Sequence, residues 1–205
     1  MATLVRNLPR PGPDLARAVA GLAGLALAVA VRVGVAGAAG SRSTRAGLVF
    51  ALLLVCVAGA TAHPRAALAD LSPRRCARLA GWGVLGAAGL CVPAAWRYAV
   101  FGLGTAGSAG YWPWALVVAV VAIAEEALLR GSLFRAVTAR YGTGAAVALT
   151  SVAFALLHVP GYGWHVLVLD LAVGVWLGAL RAATGSVAAP AVAHALADLA
   201  GWWLR

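Results

Sequence analysis

The chain has 205 residues, of which 63% are hydrophobic and 11% charged, whereas a soluble domain carries about 25% charged and about 45–50% apolar residues. That much apolar surface cannot be hidden in one small core, which excludes a soluble globular fold and makes lipid the surrounding medium. The net charge of +10 comes from arginines spread between apolar runs, with no basic stripe on a polar face. This argues against a nucleic-acid partner and for basic residues that orient spans in a bilayer.

Residues 1–14, with Arg6, Arg10, Pro9, Pro11 and Pro13, read as a short cytoplasmic tail. The first apolar run, Leu15–Ala39, has the charged start and small-residue end of a secretory signal. Its length, the interrupting Arg32 and the runs that follow favour an uncleaved first span. Further runs are Ala46–Ala62, Ala77–Phe101, Tyr111–Glu126, Thr143–Val159, Trp164–Leu180 and Ser186–Leu204. Each is near the ~17–25 residues that cross ~30 Å of hydrocarbon as a helix, and helices are required because lipid cannot satisfy open backbone groups. The expected fold is an all-α polytopic bundle of about seven spans: residues 15–110 form an N-terminal set and 111–205 a four-helix core holding a polar site. Cys56, Cys76 and Cys91 lack metal or redox spacing and read as small apolar filler.

Arginines set the orientation. Arg6, Arg10 and Arg17 surround the start of the first span, Arg65, Arg74, Arg75 and Arg78 precede the third, Arg135 and Arg140 follow the fourth, and Arg181 follows the sixth. The loops 102–110 and 160–163 carry none. A cytoplasmic N-terminus satisfies the positive-inside rule in every loop but the one with Arg42 and Arg45.

Four of the six acidic residues, Glu125, Glu126, Asp170 and Asp198, lie in the last four apolar runs, with His158, His165 and His194. A charge at a helix centre costs roughly 2.5–3.5 kcal/mol on the insertion scale, so each needs a partner, water or a use. Glu126 and Arg130, four apart in the favourable order, read as a structural pair, with Arg130 and Arg135 reaching towards the cytoplasm. Glu125 points about 100° away and finds no partner in its own helix. If the chain turns at Tyr141-Gly142-Thr143, Glu125 and His158 stand almost equally far from the turn and meet at one depth of an antiparallel hairpin. His194 and Asp198 share a face of the last span. They either brace the bundle, with Asp198 fixing the His194 tautomer, or complete a pocket with Glu125 and His158, the reading favoured here. His165 reads as interfacial, and Asp170 as an outer member of the polar group.

The segment Glu125-Glu126-Ala127-Leu128-Leu129-Arg130-Gly131 resembles the E-E-x-x-x-R-G motif of the CPBP (CAAX prenyl protease and bacteriocin-processing, or Abi) intramembrane proteases. Phe154-Ala155-Leu156-Leu157-His158 is similar to their F-x-x-x-H motif and His194-Ala195-Leu196-Ala197-Asp198 to H-x-x-x-N/D, and Thr184-Gly185-Ser186 also resembles the family. Each motif alone is weak, and three in order on separate spans are strong. The resemblance implies an intramembrane endopeptidase with a cavity open to the cytoplasm. In it Glu125 with His158 activates water, and His194 with Asp198 stabilises the oxyanion. No cofactor is required on this reading. Zinc held by Glu125, His158 and His194 is the alternative, and it would leave Glu126 to act as base. The expected partners are the lipid bilayer and a membrane-associated peptide or protein substrate, and composition suggests a bacterial plasma membrane. A non-catalytic scaffold or immunity protein held by the same polar cluster is the rival reading. A proton-coupled transporter ranks lower because no inverted repeat is visible.

Overall fold

A computed structural model describes residues 12–37, 43–62, 72–101 and 110–204, without the side chains of residues 97 and 101. The sequence reading of residues 1–11 as a tail lies outside this range, while Pro13, expected in that tail, instead opens the first helix. Its fixed φ suits a first helical position, where no N–H partner is needed.

The elements in chain order are α1 (Pro13–Ala36), α2 (Thr44–Ala60), α3 (Pro73–Phe101), α4 (Tyr111–Glu126), a π-helical turn (Ala127–Leu133), α5 (Phe134–Tyr162), a short 3-10 turn (Trp164–Val166), α6 (Leu167–Thr184) and α7 (Ala188–Gly201). There is no strand among the described residues. The exterior is apolar: Leu116 is 67% and Val168 80% exposed, which only lipid tolerates over so much of a surface. The protein is an integral membrane helix bundle.

Among the described residues, four runs are long and apolar enough to cross a bilayer: Pro13–Ala36, Pro73–Val100, Tyr111–Tyr162 and Trp164–Thr184. The 52-residue run is broken at Gly142, whose φ of 82° and ψ of 171° interrupt the helix. That backbone is one an L side chain rarely adopts, so a glycine sits there. The α2 helix of 17 residues and the α7 helix of 14 rise only about 25 and 21 Å. Length alone therefore does not establish the expected seven crossings.

The limb of α5 beyond Gly142 lies antiparallel to α4. The Arg130 guanidinium sits 4.9 Å over the Phe154 ring, the register that a turn at Gly142 imposes. Against α5, α6 packs antiparallel at a close approach: a Cβ on Gly174 would stand 2.8 Å from Ser151 Cα. The α3 helix runs alongside α7, where the Gly86 carbonyl also accepts from Trp176 Nε1 of α6 at 3.1 Å. The core joins Phe50 and Leu54 of α2 to Leu128, Leu129 and Leu133 of the π-turn, Phe154 and Leu177.

The two ends of the bundle differ. At one end, Asp14 and Arg17 of α1, Thr61 after α2, and Ser132, Arg135 and Ala139 line one shallow cleft. At the other, Tyr111, Trp114, Trp202 and Trp203 cluster, with the Trp114 and Trp202 rings 4.8 Å apart, an aromatic belt of the interfacial kind.

Candidate active site

The α4 helix carries Glu125 and Glu126 into the π-turn, and π-turns within α-helices are frequent at functional sites. The two adjacent carboxylates face different surroundings. Glu126 is wholly buried, and its Oε1 accepts from Arg130 Nη1 at 2.9 Å and from His194 Nδ1 at 3.1 Å. Arg130 is equally buried and donates through Nη2 to the Gly174 carbonyl at 2.9 Å. Its own carbonyl accepts from Arg181 Nε at 2.9 Å. This hub joins the π-turn to α6 and α7. Arg130 thus does not reach to the cytoplasmic interface as its sequence position suggested: the carboxylate and the Gly174 carbonyl hold it in the core, where a guanidinium without acceptors would be very costly.

Glu125 points elsewhere, into a cavity of about 460 Å³ lined also by Arg32, Trp114, His158, Asp170 and Asp198. A smaller recess of about 170 Å³ between α1 and α5 shares Arg32, His158 and Tyr162 with it. Glu125 is 3% exposed, and its Oε2 lies 3.9 Å from His194 Nε2. The hairpin brings His158 to the same cavity. Its Nδ1 is 2.9 Å from the Phe154 carbonyl, which only accepts, so Nδ1 carries the proton and Nε2 remains the basic nitrogen. Asp170 Oδ2 stands 4.0 Å from that Nδ1, beyond hydrogen-bond reach. His165 is exposed beside the turn at Gly163.

The His194 tautomer has a different guardian from the one expected. Asp198 Oδ2 lies 3.5 Å from Nε2, while Nδ1–H donates to Oε1 of Glu126, itself paired with Arg130. Glu126 and His194 are far apart in sequence and no local spacing links them. Nε2 thereby faces two of the cavity's carboxylates, Glu125 and Asp198. Arg32 was also missed as a site residue. The available signal was a lone arginine inside an apolar run; it lines the cavity with its guanidinium 4.7 Å over Phe50. Among the described residues, no three His, Cys, Asp or Glu side chains are arranged to hold a metal ion.

The cavity rim holds Ser43 and Thr44 at the start of α2, Trp114 near the start of α4, Tyr162 at the end of α5, Val166 before α6, and Gly201 at the end of α7. All belong to the aromatic end of the bundle. Leu128, Leu129, Leu133, Phe154 and Leu177 belong to the packed core, each no more than 2% exposed. The rim thus lies at the end of the bundle opposite the start of α1.

Residues 107–200 match the family model described as type II CAAX prenyl endopeptidase, Rce1-like. No curated protein and no solved structure matches the chain.

Proposed function

We infer, the chain being a member of the Rce1-like type II CAAX prenyl endopeptidase family through residues 107–200, that it is an intramembrane endopeptidase acting on a membrane-associated peptide or protein. The observation that carries this reading is that Glu125, His158 and Asp198 line one cavity, while a separate buried carboxylate, Glu126, fixes His194 behind it.

In the proposed reaction Glu125, assisted by His158 Nε2, takes a proton from a water in the cavity as its oxygen bonds to the scissile carbonyl carbon. General-base assistance of this kind contributes ~10²–10⁴-fold. His194 in its doubly protonated form donates from Nε2 to the developing oxyanion, and Asp198 at 3.5 Å stabilises the imidazolium. When the C–N bond breaks, the proton held by Glu125 passes to the leaving amine. No step requires a metal. We place the protein in a bacterial plasma membrane with its N-terminus in the cytoplasm, on the distribution of arginines.

The test is proteolysis in reconstituted membranes, with proteome-wide detection of new peptide termini in wild type and Glu125→Gln. Termini that vanish in an equally folded variant support the protease. Identical termini in both would remove Glu125 from catalysis and leave the non-catalytic scaffold in its place.

A further inference from the structure

The cleft at the end of the bundle away from the aromatic cluster is lined by none of the residues of the proposed reaction, and its charges do not balance. It measures about 100 Å³ and is lined by Asp14 and Arg17 of α1, Thr61 just past α2, Ser132 of the π-turn, and Arg135, Ala136 and Ala139 of α5. One water needs roughly 10–15 Å³, so the cleft has room for a tetrahedral oxyanion.

Two guanidinia reach the cleft and one carboxylate. Arg17 Nη1 donates to Asp14 Oδ1 at 2.9 Å, and the two side chains remain 30% and 36% exposed. Arg135 Nε, by contrast, is buried without an acceptor among the described residues. A third cation adds to the excess. Arg181, held by the Arg130 carbonyl at 2.9 Å and stacked 5.2 Å over the Phe134 ring, repels the charge of Arg135. Of the six acidic residues, Glu125, Glu126, Asp170 and Asp198 belong to the cavity and the hub, Asp14 is already paired, and Asp70 lies outside the described residues. The hydroxyls are committed as well: Ser132 Oγ donates to the Ala58 carbonyl at 2.9 Å and Thr61 Oγ1 to the Val57 carbonyl at 2.7 Å. The guanidinia are the donors left for a ligand.

The level of the cleft says which anion is at hand. Asp14 is the second residue of α1, Thr61 follows the last residue of α2, and Ala139 precedes the break at Gly142 by three residues. Helix ends mark the depth at which spans leave the hydrocarbon, and the anion concentrated there is the lipid phosphate. Guanidinium is the side chain best matched to phosphate, because its planar fork donates two parallel hydrogen bonds. Basic pockets between spans bind lipid head groups on these terms.

We propose that this cleft binds the phosphate of an anionic phospholipid through Arg135 and Arg17, tying the ends of α1 and α2 to the π-turn and α5. The site stands on the fold alone and does not depend on the protease reading. Asp14 competes with the phosphate for Arg17 and so lowers the affinity.

The experiment uses the purified full-length protein, stripped of lipid in a neutral detergent. It is titrated with phosphatidylglycerol, with phosphatidylcholine and with inorganic phosphate, and the bound molecules are counted by native mass spectrometry. Phosphatidylglycerol is expected to bind in preference to both others. Arg135→Gln and Arg17→Gln should each weaken it by about tenfold or more, the worth of a hydrogen bond to a charged group. Asp14→Asn should strengthen it. Arg140→Gln should leave it unchanged, since that guanidinium lies 5.7 Å over the Tyr141 ring and does not line the cleft. Equal binding of the two lipids, or a loss in Arg140→Gln as large as in Arg135→Gln, would reduce the effect to diffuse surface charge and overturn the proposal. Inorganic phosphate binding as tightly as phosphatidylglycerol would give the cleft to a soluble anion and overturn the lipid assignment. Where Arg135→Gln does not fold, Arg17→Gln and Asp14→Asn decide: shifts in opposite directions support the site, and parallel or absent shifts reject it.

Discussion

Glu125 and Glu126 are neighbours in the chain and are both almost inaccessible, yet they belong to regions built on opposite terms. Around Glu126 the carboxylate is paired: one guanidinium, one imidazole N–H and a backbone carbonyl link three elements, with Glu126 Oε2 and Arg130 Nε left without partners among the described residues. Around Glu125 the pairing is looser: His194 Nε2 stands 3.9 Å away, and the same cavity holds Arg32, Asp170 and Asp198. A paired buried network holds helices in place. A loosely paired carboxylate facing a cavity is poorly placed to stabilise anything and well placed to take a proton. One region is the frame and the other is the chemistry, and they meet at His194, whose Nδ1 faces the frame and whose Nε2 faces the cavity.

The largest effect should come from breaking the frame. Glu126→Gln leaves the Arg130 guanidinium buried without its carboxylate, and guanidinium does not neutralise itself by losing a proton. Loss of one partner of a buried pair costs about 3–5 kcal/mol, enough to empty the membrane of folded protein, which detergent-stable abundance would register. Adding Arg130→Met should recover much of that loss, because removing both charges avoids the desolvation penalty. If the single variant were as stable as wild type, the hub would not be the frame described here.

Glu125→Gln should do the converse. We expect turnover to fall by ~10²–10⁴-fold with unfolding unchanged or shifted upwards, since an amide is cheaper to bury than a carboxylate. A folding defect as severe as that of Glu126→Gln would merge the two regions into one. Gly174→Ala sharpens the boundary from the frame side. Its Cβ would meet Ser151 Cα at 2.8 Å, an overpacking that costs about 1–3 kcal/mol. Abundance should therefore drop, while turnover per folded molecule stays near wild type.

The sequence was informative about the cavity and much less so about the frame, for a physical reason. Helices, their apolar exterior and the reversal at Gly142 follow from local pattern, and the hairpin register that levels Glu125 with His158 follows from a constant rise per residue. The pairing of Glu126 with Arg130 is likewise local. The contacts that make the pair a hub, to Gly174 of α6 and His194 of α7, depend on how helices pack, and spacing within one helix carries no record of that. Arg130 was misplaced at the interface for the same reason: an arginine near a span end can reach water or bury itself, and only the acceptors on neighbouring helices decide.

The smallest expected effect concerns Asp198, whose side chain is 44% exposed and whose Oδ2 lies 3.5 Å from His194 Nε2. Since the frame, through Glu126, already fixes the His194 tautomer, Asp198 is left with an electrostatic share in the cavity alone. Asp198→Asn preserves the shape and a hydrogen-bonding carbonyl while deleting the charge. Turnover should therefore fall by no more than about tenfold, or ~1.4 kcal/mol of barrier, and stability should not change. That small loss is the quantitative signature of a divided site. A Asp198→Asn variant as inactive as Glu125→Gln would mean that Asp198, and not Glu126, sets the working state of His194, and the division between frame and cavity drawn at that histidine would have to move.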